Sequence, residues 1–382
     1  MFFRFRILGF LYTRSDSVSK KANTSTRRGF RETLRSDFRD ADLRSGLKRE
    51  FDDVMEFFLT EEEKANMHAM SPLRRVVYVP FRILGAMILR LTPVRRILLL
   101  LGILFLIFSG DASDTGFGGG QIVGMLLLLF VLLLELKDKV LARDELEAGR
   151  AVQTALMPDE RPSFRGWDVF LYTRPANDVG GDLVDFIYVG ENRLGLSLGD
   201  VAGKGLGAAL FMAKLQATLR ALAPRRSSIC DLGQQLSEIF DRDGLPNRFA
   251  SLVYLEIAHD DDVVSMLNAG HMPPLIVRET CVEEMPRGGP ALGLMLHKEY
   301  RELVTRLGND DVLVAYSDGV TEARNEAGAF FGEERLKKLL HRSRTLPVEQ
   351  IGRLVLESVD RFAGGAPRHD DVSLLLLRRM QA

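Results

Sequence analysis

The sequence predicts an α+β domain that follows a helical membrane segment. Within residues 158–382, eight short runs alternate in polarity or are continuously apolar, and they end at Gly, Asp, Asn or Pro as β-strands do. Four helical patterns lie between groups of these runs and do not alternate with each of them, which favours α+β over a parallel α/β sheet. Ahead of the domain, residues 97–108 and 121–134 are apolar runs without a charged residue. These two runs predict membrane helices.

The N-terminal part of the chain is basic. Residues 1–96 carry 20 Lys and Arg against 12 Asp and Glu, whereas the remainder carries 31 against 40. Residues 1–28 are predicted to be a disordered basic segment, since arginines interrupt the first apolar run and no signal-peptide cleavage site follows. Residues 29–94 are predicted to be helical and cytoplasmic or interfacial, because apolar side chains recur every three to four residues among charges. Few aromatics accompany the arginines, so membrane lipid is favoured as a partner and nucleic acid is not expected.

Residues 95–136 are predicted to form a two-helix transmembrane hairpin. Each apolar run extends only about 18–21 Å as a helix, which is short of a roughly 30 Å hydrocarbon layer unless neighbouring residues or local thinning contribute. Arg95, Arg96, Lys137 and Lys139 flank the two runs, whereas the turn between them holds only acidic charges. This asymmetry predicts that both ends face the cytoplasm. A buried soluble hairpin and a re-entrant loop are the alternatives.

Residues 137–157 are predicted to be a signalling or linker helix that leaves the membrane. Apolar residues form a near-heptad stripe among charges, and Pro158 ends the pattern. The stripe consists of Leu136, Val140, Leu146, Ala148, Val152 and Leu156. A stripe of this kind pairs with the same helix of a second copy or packs on the following domain, and the spacing does not separate a homodimer from ordinary packing.

The remaining chain supplies the strands and helices of the domain. The predicted strands cover residues 167–173, 183–189, 194–198, 251–257, 263–268, 301–307, 312–316 and 372–377. The predicted helices cover residues 208–222, 229–240, 333–341 and 348–362. The two cysteines, Cys230 and Cys281, lack metal-site spacing and favour a reduced compartment.

Two aspartates lie where predicted strands meet glycines. Asp182 lies in VGGDLVDF, and Asp200 lies in LGDVAGKGLGAAL, where a strand changes to a glycine-rich turn and then a helix. Glycines before a helix can cradle phosphate with Lys204 as a point charge, although the spacing is not that of a Walker loop. A tight strand-to-helix turn capped by an aspartate explains the same residues without any ligand.

Three more aspartates lie beside later strands. Asp318 follows the strand at 312–316, and Asp370 and Asp371 precede the strand at 372–377. Carboxylates at four strand ends, spread over about 190 residues, predict convergence on hard cations, because oxygen ligands suit Mg²⁺ or Mn²⁺ and no Cys/His cluster competes.

Six ordered motifs resemble those of the PPM-type metal-dependent serine/threonine protein phosphatases, most closely the bacterial SpoIIE/RsbU-like branch. The motifs are VGGDLVDF, GDVAGKGLGAALFMA, NAGHMPPL, GGPALGL, YSDGVTEA and HDDVSLLLL, within residues 145–379. The resemblance implies a PPM-phosphatase-like β-sandwich of two antiparallel sheets flanked by helices, with residues 158–382 as the phosphatase domain. It also implies a metal site at one edge of the sandwich.

The resemblance further implies two Mn²⁺ or Mg²⁺ ions as cofactors. In the implied ligand set Asp200 bridges the ions, the Val201 carbonyl is a further ligand, and Asp182, Asp318 and Asp370 complete the set. Asp371 is the alternative to its neighbour, although the family's pattern favours the first of the pair. Two divalent ions offset four crowded carboxylates and lower the pKa of water that attacks phosphorus, so no nucleophilic side chain is needed.

Other residues have weaker cases for a role. Asp185 and Glu322 fit helpers or surface residues. His271 has the pKa range of a general acid, although strand-turn packing explains it better, and His369 is placed to orient a ligand. Arg174 precedes the first metal motif, but the SpoIIE/RsbU-like branch generally lacks the arginine with which eukaryotic relatives grip phosphate. Lys204 or a group from a partner protein is left to hold the substrate phosphate.

The predicted function is that of a membrane-anchored, metal-dependent phosphatase with a cytoplasmic catalytic domain, in a multi-pass protein of a bacterial inner (cytoplasmic) membrane. The resemblance implies hydrolysis of phosphoserine or phosphothreonine on a regulatory protein, an anti-sigma-factor antagonist of the STAS type in a partner-switching pathway. A non-catalytic membrane-bound signalling scaffold with the same fold is the first alternative. A two-metal nuclease or nucleotidase is the second, although residues 158–382 show no basic groove.

Overall fold

The computed structural model describes residues 72–108, 119–243, 248–294 and 299–380. The predicted disordered segment, the helical pattern before residue 72 and most of the turn between the apolar runs therefore lie outside the described residues. The chain divides into two compact units, Met1–Leu134 and Glu135–Ala382.

Over its described residues, the first unit contains three helical segments, of which the second and third coincide with the two apolar runs. These helices are α1 (Pro72–Arg90), α2 (Pro93–Phe108) and the first part of α3 (Gly119–Leu156). Proline at the first position of a helix fits because the N–H that it lacks would have no partner within the helix. The second apolar run and the predicted linker helix are one continuous α3.

α2 and α3 pack closely where two glycines face each other. A Cβ added to Gly124 would lie 2.7 Å from the carbonyl oxygen of Gly102, so the close approach requires glycine at this position. Small residues at a crossing let two backbones approach, as they do in membrane helix pairs. Large apolar side chains elsewhere on these helices are exposed, including Phe108 at 77% and Met125 at 65%.

One helix in the described part of the chain, α3, is long and apolar enough to cross a membrane, and only 11% of its apolar window is buried. α2 has 16 residues and is shorter. The structure therefore supports one candidate span, and the second span of the predicted hairpin stays a prediction.

Two five-stranded antiparallel sheets form the centre of the second unit. Sheet A has the order β1-β10-β9-β6-β7, with β1 at Trp167–Arg174, β6 at Leu275–Val277, β7 at Val282–Glu284, β9 at Val312–Tyr316 and β10 at Val372–Arg379. Sheet B has the order β2-β3-β4-β5-β8, with β2 at Leu183–Val189, β3 at Arg193–Val201, β4 at Ala250–Ala258, β5 at Val263–Ala269 and β8 at Leu303–Arg306.

The sheets face each other and carry helices on their outer faces. Alternate residues Leu194, Leu196 and Leu198 of β3 are fully buried in the core between the sheets, which accounts for the apolar period in the sequence. α4 (Leu206–Leu222) and α5 (Ile229–Arg242) cover sheet B. Sheet A is covered by α7 (Glu333–Ser343) and α8 (Val348–Ala363), and the one-turn helix α6 (Asp318–Thr321) follows β9.

The predicted secondary structure of the domain is confirmed. Every predicted strand and helix is present, and each end lies within three residues of the predicted one. The short strands β6 and β7 and the single turn α6 were not predicted. The α+β class and the two antiparallel sheets flanked by helices are therefore correct.

Candidate active site

Five aspartates line one cavity at an end of the two sheets. They are the residues that the sequence singled out, Asp182, Asp200, Asp318, Asp370 and Asp371. Asn177, Gly203, Lys204, Gly205 and His369 also line the cavity.

Strand pairing in each sheet brings these aspartates together. In sheet B, Leu183 pairs with Gly199, so Asp182 at the start of β2 lies beside Asp200 near the end of β3. In sheet A, the end of β9 pairs with the start of β10, which places Asp318 beside the Asp370–Asp371 pair. Each sheet therefore contributes one end of an antiparallel strand pair to the cavity.

Asp182 is the most enclosed of the five carboxylates. Its side chain is 6% exposed, and the Ser373 hydroxyl donates to Asp182 Oδ2 at 2.5 Å. Burial, and then the negative charges of Asp200 and Asp371, raise the pKa of Asp182 well above its ordinary value. A carboxylate in this position is destabilised as an anion unless a cation joins it.

Asp200 and Asp318 experience the same repulsion. Burial is the largest cause that raises the pKa of Asp200, followed by the charges of Asp370 and Asp371. Burial also raises the pKa of Asp318 to about 6, with further contributions from Asp200, Asp370 and Glu322. The cavity therefore concentrates hard, negatively charged oxygen donors, which is the chemistry that Mg²⁺ and Mn²⁺ prefer.

Asp371 has both of its oxygens occupied by backbone groups. Oδ1 accepts a hydrogen bond from the Ala176 N–H at 2.7 Å, and Oδ2 accepts from the N–H groups of Gly181 and Asp182 at 2.6 and 3.2 Å. A Cβ on Gly180 would lie 2.4 Å from Asp371 Oδ2, so only glycine permits this approach. Asp371 thus ties the loop that carries Asp182 to the start of β10.

Asp370 faces the cavity with its side chain 44% exposed. Lys204 reaches this carboxylate from the opposite loop, with Nζ 3.3 Å from Asp370 Oδ1. The same ammonium donates to the His369 carbonyl oxygen at 2.5 Å. The cation thus connects the glycine-rich turn after β3 with the loop before β10.

The ligand geometry is not preformed. Within the described ranges, no three His, Cys, Asp or Glu side chains lie close enough together to hold an ion as they stand. Val201 is not among the residues that line the cavity. Its carbonyl oxygen lies close to Gly181, because a Cβ added to that glycine would be 3.2 Å from it. The donor set fits divalent cations in chemistry and charge, and metal ligation by these residues stays a prediction.

His271 is a structural residue at the junction of the sheets. Its Nε2 lies 3.1 Å from the Tyr316 carbonyl of β9, and its Nδ1 lies 2.8 Å from the Ser251 hydroxyl of β4. Because a carbonyl only accepts, Nε2 carries the proton and Nδ1 accepts from the serine. Burial lowers the pKa of His271 to about 4, so the ring is neutral near pH 7. A neutral imidazole is a poor general acid for protonating a leaving group.

The other residues of uncertain role lie outside the carboxylate cavity. Asp185 is fully buried and accepts two hydrogen bonds of 2.7 Å from Arg220, which ties α4 to sheet B. Arg174 makes two hydrogen bonds, of 2.9 and 2.6 Å, to the Asp360 carboxylate of α8, which hold its guanidinium there. Glu322 lines a neighbouring pocket with Arg174.

The comparison with protein families decides the relationship. The sequence model of the family described as Stage II sporulation protein E (SpoIIE) matches residues 190–380, which is half of the chain. The chain belongs to the SpoIIE family. Residues 190–380 are thus a PPM-type serine/threonine phosphatase domain, as the motif order indicated.

Curated relatives of this SpoIIE-family chain include two bacterial proteins. Protein IcfG of Synechocystis sp. is 28% identical over 273 residues, which cover 64% of this chain and 43% of IcfG. Phosphoserine phosphatase RsbU of Bacillus subtilis is 25% identical over 239 residues, which cover 62% of this chain and 70% of RsbU. The chain therefore spans less than half the length of IcfG.

Solved structures share the fold. The SiaA-PP2C domain of Pseudomonas aeruginosa superposes with a TM-score of 0.54 at 19% identity, over 63% of this chain and 98% of that one. The RsbU and RsbW domains of Rv1364c from Mycobacterium tuberculosis give a TM-score of 0.51 at 23% identity, over 57% of this chain and 61% of that one. The two-sheet sandwich of the SpoIIE-family domain is thus a PP2C fold.

Gln153 is a residue near the site that sequence reasoning missed. Its side chain on α3 is 4% exposed, donates to the Gly180 carbonyl at 2.8 Å and accepts from the Gly180 N–H at 3.0 Å. Gly180 lies two residues before Asp182, so α3 holds the backbone of the loop that carries this carboxylate. The sequence signal that could have identified Gln153 is a single polar residue on an otherwise apolar helix face. Gln153 was not part of the predicted stripe.

The near-heptad stripe of the linker helix left open whether its residues pair with a second copy or pack on the domain. Leu136, Val140 and Val152 are 54%, 50% and 61% exposed. The contact with the domain is made by Gln153, by Gly149, where an added Cβ would lie 2.9 Å from Leu206, and by Leu156 of the stripe, whose carbonyl accepts from Gln216. The exposed stripe residues leave pairing with a second copy as a prediction.

Proposed function

We propose that the chain is a membrane-anchored, metal-dependent phosphatase that hydrolyses phosphoserine or phosphothreonine on a regulatory protein. The observation that carries the proposal is the cavity in which paired strand ends, one pair from each sheet of a PP2C fold, bring together five aspartates. Membership of the SpoIIE family supports the same activity.

Divalent cations would be held by Asp182, Asp200, Asp318 and Asp370, with the Val201 carbonyl as a further ligand. When bound, a pair of Mn²⁺ or Mg²⁺ ions would supply positive charge at the phosphoryl group and a lowered pKa for water. Asp371 is proposed as a positioning residue, since its oxygens already accept three backbone N–H groups.

The protein itself supplies the rigid positions of these groups. Ser373 fixes one oxygen of Asp182, and Gln153 with Asp371 fixes the backbone on both sides of Gly181. A carboxylate whose rotamer and backbone are both fixed loses little entropy when it takes up a ligand. The cavity is open to solvent at Asp370 and Lys204, the side from which a phosphorylated side chain can enter.

The proposed substrate is a phosphorylated anti-sigma-factor antagonist of the STAS type, in a partner-switching pathway that controls a sigma factor. This choice rests on the likeness to RsbU, which is named a phosphoserine phosphatase. It is an inference from the family and not from a contact in this chain.

Anchoring in a bacterial inner membrane, with the catalytic domain in the cytoplasm, is part of the proposal. The apolar part of α3 is exposed, and α2 packs on it through facing glycines. Basic residues flank both helices, which supports the orientation. The exposed residues Leu136, Val140 and Val152 support a homodimer through α3.

Phosphatase activity is tested on the 382-residue chain in detergent with a phosphorylated STAS protein and with p-nitrophenyl phosphate, with and without Mn²⁺. We expect Mn²⁺-dependent release of phosphate, and loss of at least about a hundredfold in Asp200→Asn. Asp159→Asn, which removes an exposed carboxylate of the same type, is the matched control and should retain activity. A well-folded chain that releases no phosphate would instead support the scaffold, and cleavage of nucleic acid alone would support the nuclease.

A further inference from the structure

Lys204 is the only lysine or arginine that lines the carboxylate cavity among the residues that the structure describes. It stands between Gly203 and Gly205, whose φ angles of 112° and 73° are positive. Such angles favour glycine, and they form a tight turn that directs the intervening residue to the cavity. The lysine is 59% exposed, so its ammonium can change position without repacking the core.

The ammonium is paired with one of the carboxylates proposed to hold a metal ion. Nζ lies 3.3 Å from Asp370 Oδ1 and 2.5 Å from the His369 carbonyl oxygen. A divalent cation at Asp370 carries twice the charge of the ammonium and competes for the same carboxylate. A cation at Asp370 therefore weakens this ion pair and favours release of Lys204.

A released Lys204 remains in the cavity to which the proposed function assigns the phosphoryl group. Its loop lines the cavity together with Asp200, and the lysine stem is long and flexible. Lysine binds phosphate as a point charge and needs no fixed fork of donors. Arg174 is not available for this task, because two hydrogen bonds hold it on Asp360.

We propose that Lys204 exchanges one anion for another: it pairs with Asp370 in the metal-free cavity and binds the phosphoryl oxygens of the substrate once Asp370 holds a cation. This inference rests on the proposed function of the cavity. It predicts that a single substitution changes two binding affinities in opposite directions. A residue with only a structural role in the turn would not do so.

The test uses the full chain in detergent and compares Lys204→Met, Lys204→Arg and the control Lys338→Met, which removes an exposed lysine of α7. Mn²⁺ binding is measured by electron paramagnetic resonance without phosphate, and orthophosphate binding by calorimetry on the Mn²⁺-loaded chain. We expect Lys204→Met to bind Mn²⁺ about two- to fivefold more tightly, the range of a half-exposed ion pair. We expect it to bind orthophosphate about tenfold more weakly.

Lys204→Arg should restore phosphate binding, and Lys338→Met should match the parent chain in both measurements. The proposal is overturned if Lys204→Met changes neither affinity, changes both in the same direction, or tightens Mn²⁺ binding while orthophosphate binding stays constant. Circular dichroism checks that each variant is folded, and the arginine variant tests the charge if the methionine variant is not. Binding of Mn²⁺ and orthophosphate without turnover by the parent chain would refute the proposed function and leave the role of Lys204 supported.

Discussion

Replacement of His271 by glutamine should remove a specific part of the acid sensitivity of the fold. The imidazole is buried between the sheets, where it donates to the Tyr316 carbonyl and accepts from the Ser251 hydroxyl. Burial lowers the pKa of His271 from 6.5 to about 4. A glutamine amide can also donate to a carbonyl and accept from a hydroxyl, so the variant should fold.

The sign follows from proton binding. Between the two pKa values the unfolded chain carries a proton on this ring and the folded chain does not, so acid favours unfolding. The contribution is fully present above the unfolded pKa and is lost as the pH falls towards 4. Between about pH 7.5 and about pH 5, this group should lower the free energy of unfolding by about 2 kcal/mol.

Guanidinium unfolding followed by tryptophan fluorescence measures this difference. Trp167 is the single tryptophan, is 2% exposed and donates to the Ala258 carbonyl, so it reports on the sandwich. The cavity carboxylates Asp182, Asp200 and Asp318 titrate with the opposite sign, because their pKa values are raised in the folded state. The informative quantity is therefore the difference between parent and His271→Gln. An equal loss of stability in both proteins would refute the role assigned to the buried ring.

Three further predictions concern the supports of the cavity and the ion pair that ties α4 to sheet B. Asp371→Asn should lower the free energy of unfolding by about 1–3 kcal/mol in guanidinium titrations, since one oxygen that accepts backbone N–H groups is lost. Asp370→Asn should leave the free energy of unfolding nearly constant and weaken Mn²⁺ binding. Equal effects of the two variants would contradict the different roles. Gln153→Ala should weaken Mn²⁺ binding about tenfold in titrations, because the Gly180 backbone loses both amide contacts, and unchanged affinity would remove α3 as a support. Arg220→Ala should lower the free energy of unfolding by about 3 kcal/mol because it leaves the buried Asp185 carboxylate unpaired, and a change below about 1 kcal/mol would show that water replaces the arginine.

Local sequence patterns predicted the sandwich well because its central strands are apolar and are buried on both faces, one against the other sheet and one against helices. The alternation of Leu194, Leu196 and Leu198 corresponds to residues that are fully buried between the sheets. β6 and β7 escaped prediction because each has three residues, too few for a period to develop. Their formation depends on pairing with β9 and with each other.

The aspartates of the cavity were also identifiable, since each lies beside the end of a predicted strand. What the sequence could not reveal is the division of labour between Asp370 and Asp371. Adjacent residues that enter a strand point to opposite sides, and the distant partners Ala176 and Gly181 decide which one is bound by backbone groups. Gln153 was missed for the same reason, because its partner Gly180 lies in a loop after the intervening strand β1.

The near-heptad stripe did not reveal which residues of the linker helix contact the domain, because a hydrophobic period does not say what covers it. Val152 belongs to the stripe and is exposed, whereas the adjacent Gln153 is buried against the Asp182 loop. A polar side chain can be buried when both of its amide groups make hydrogen bonds. Hydrophobic period alone therefore did not identify Gln153 as a contact residue.

Equilibrium dialysis of the 382-residue chain against Mn²⁺ tests the central claim most directly, because it measures ion binding without substrate or membrane. We predict that the parent chain and Asp159→Asn bind two ions and that a chelator removes both, whereas Asp200→Asn binds at most one. Equal Mn²⁺ binding by the parent chain and Asp200→Asn, or no binding by a folded parent chain, would contradict the account.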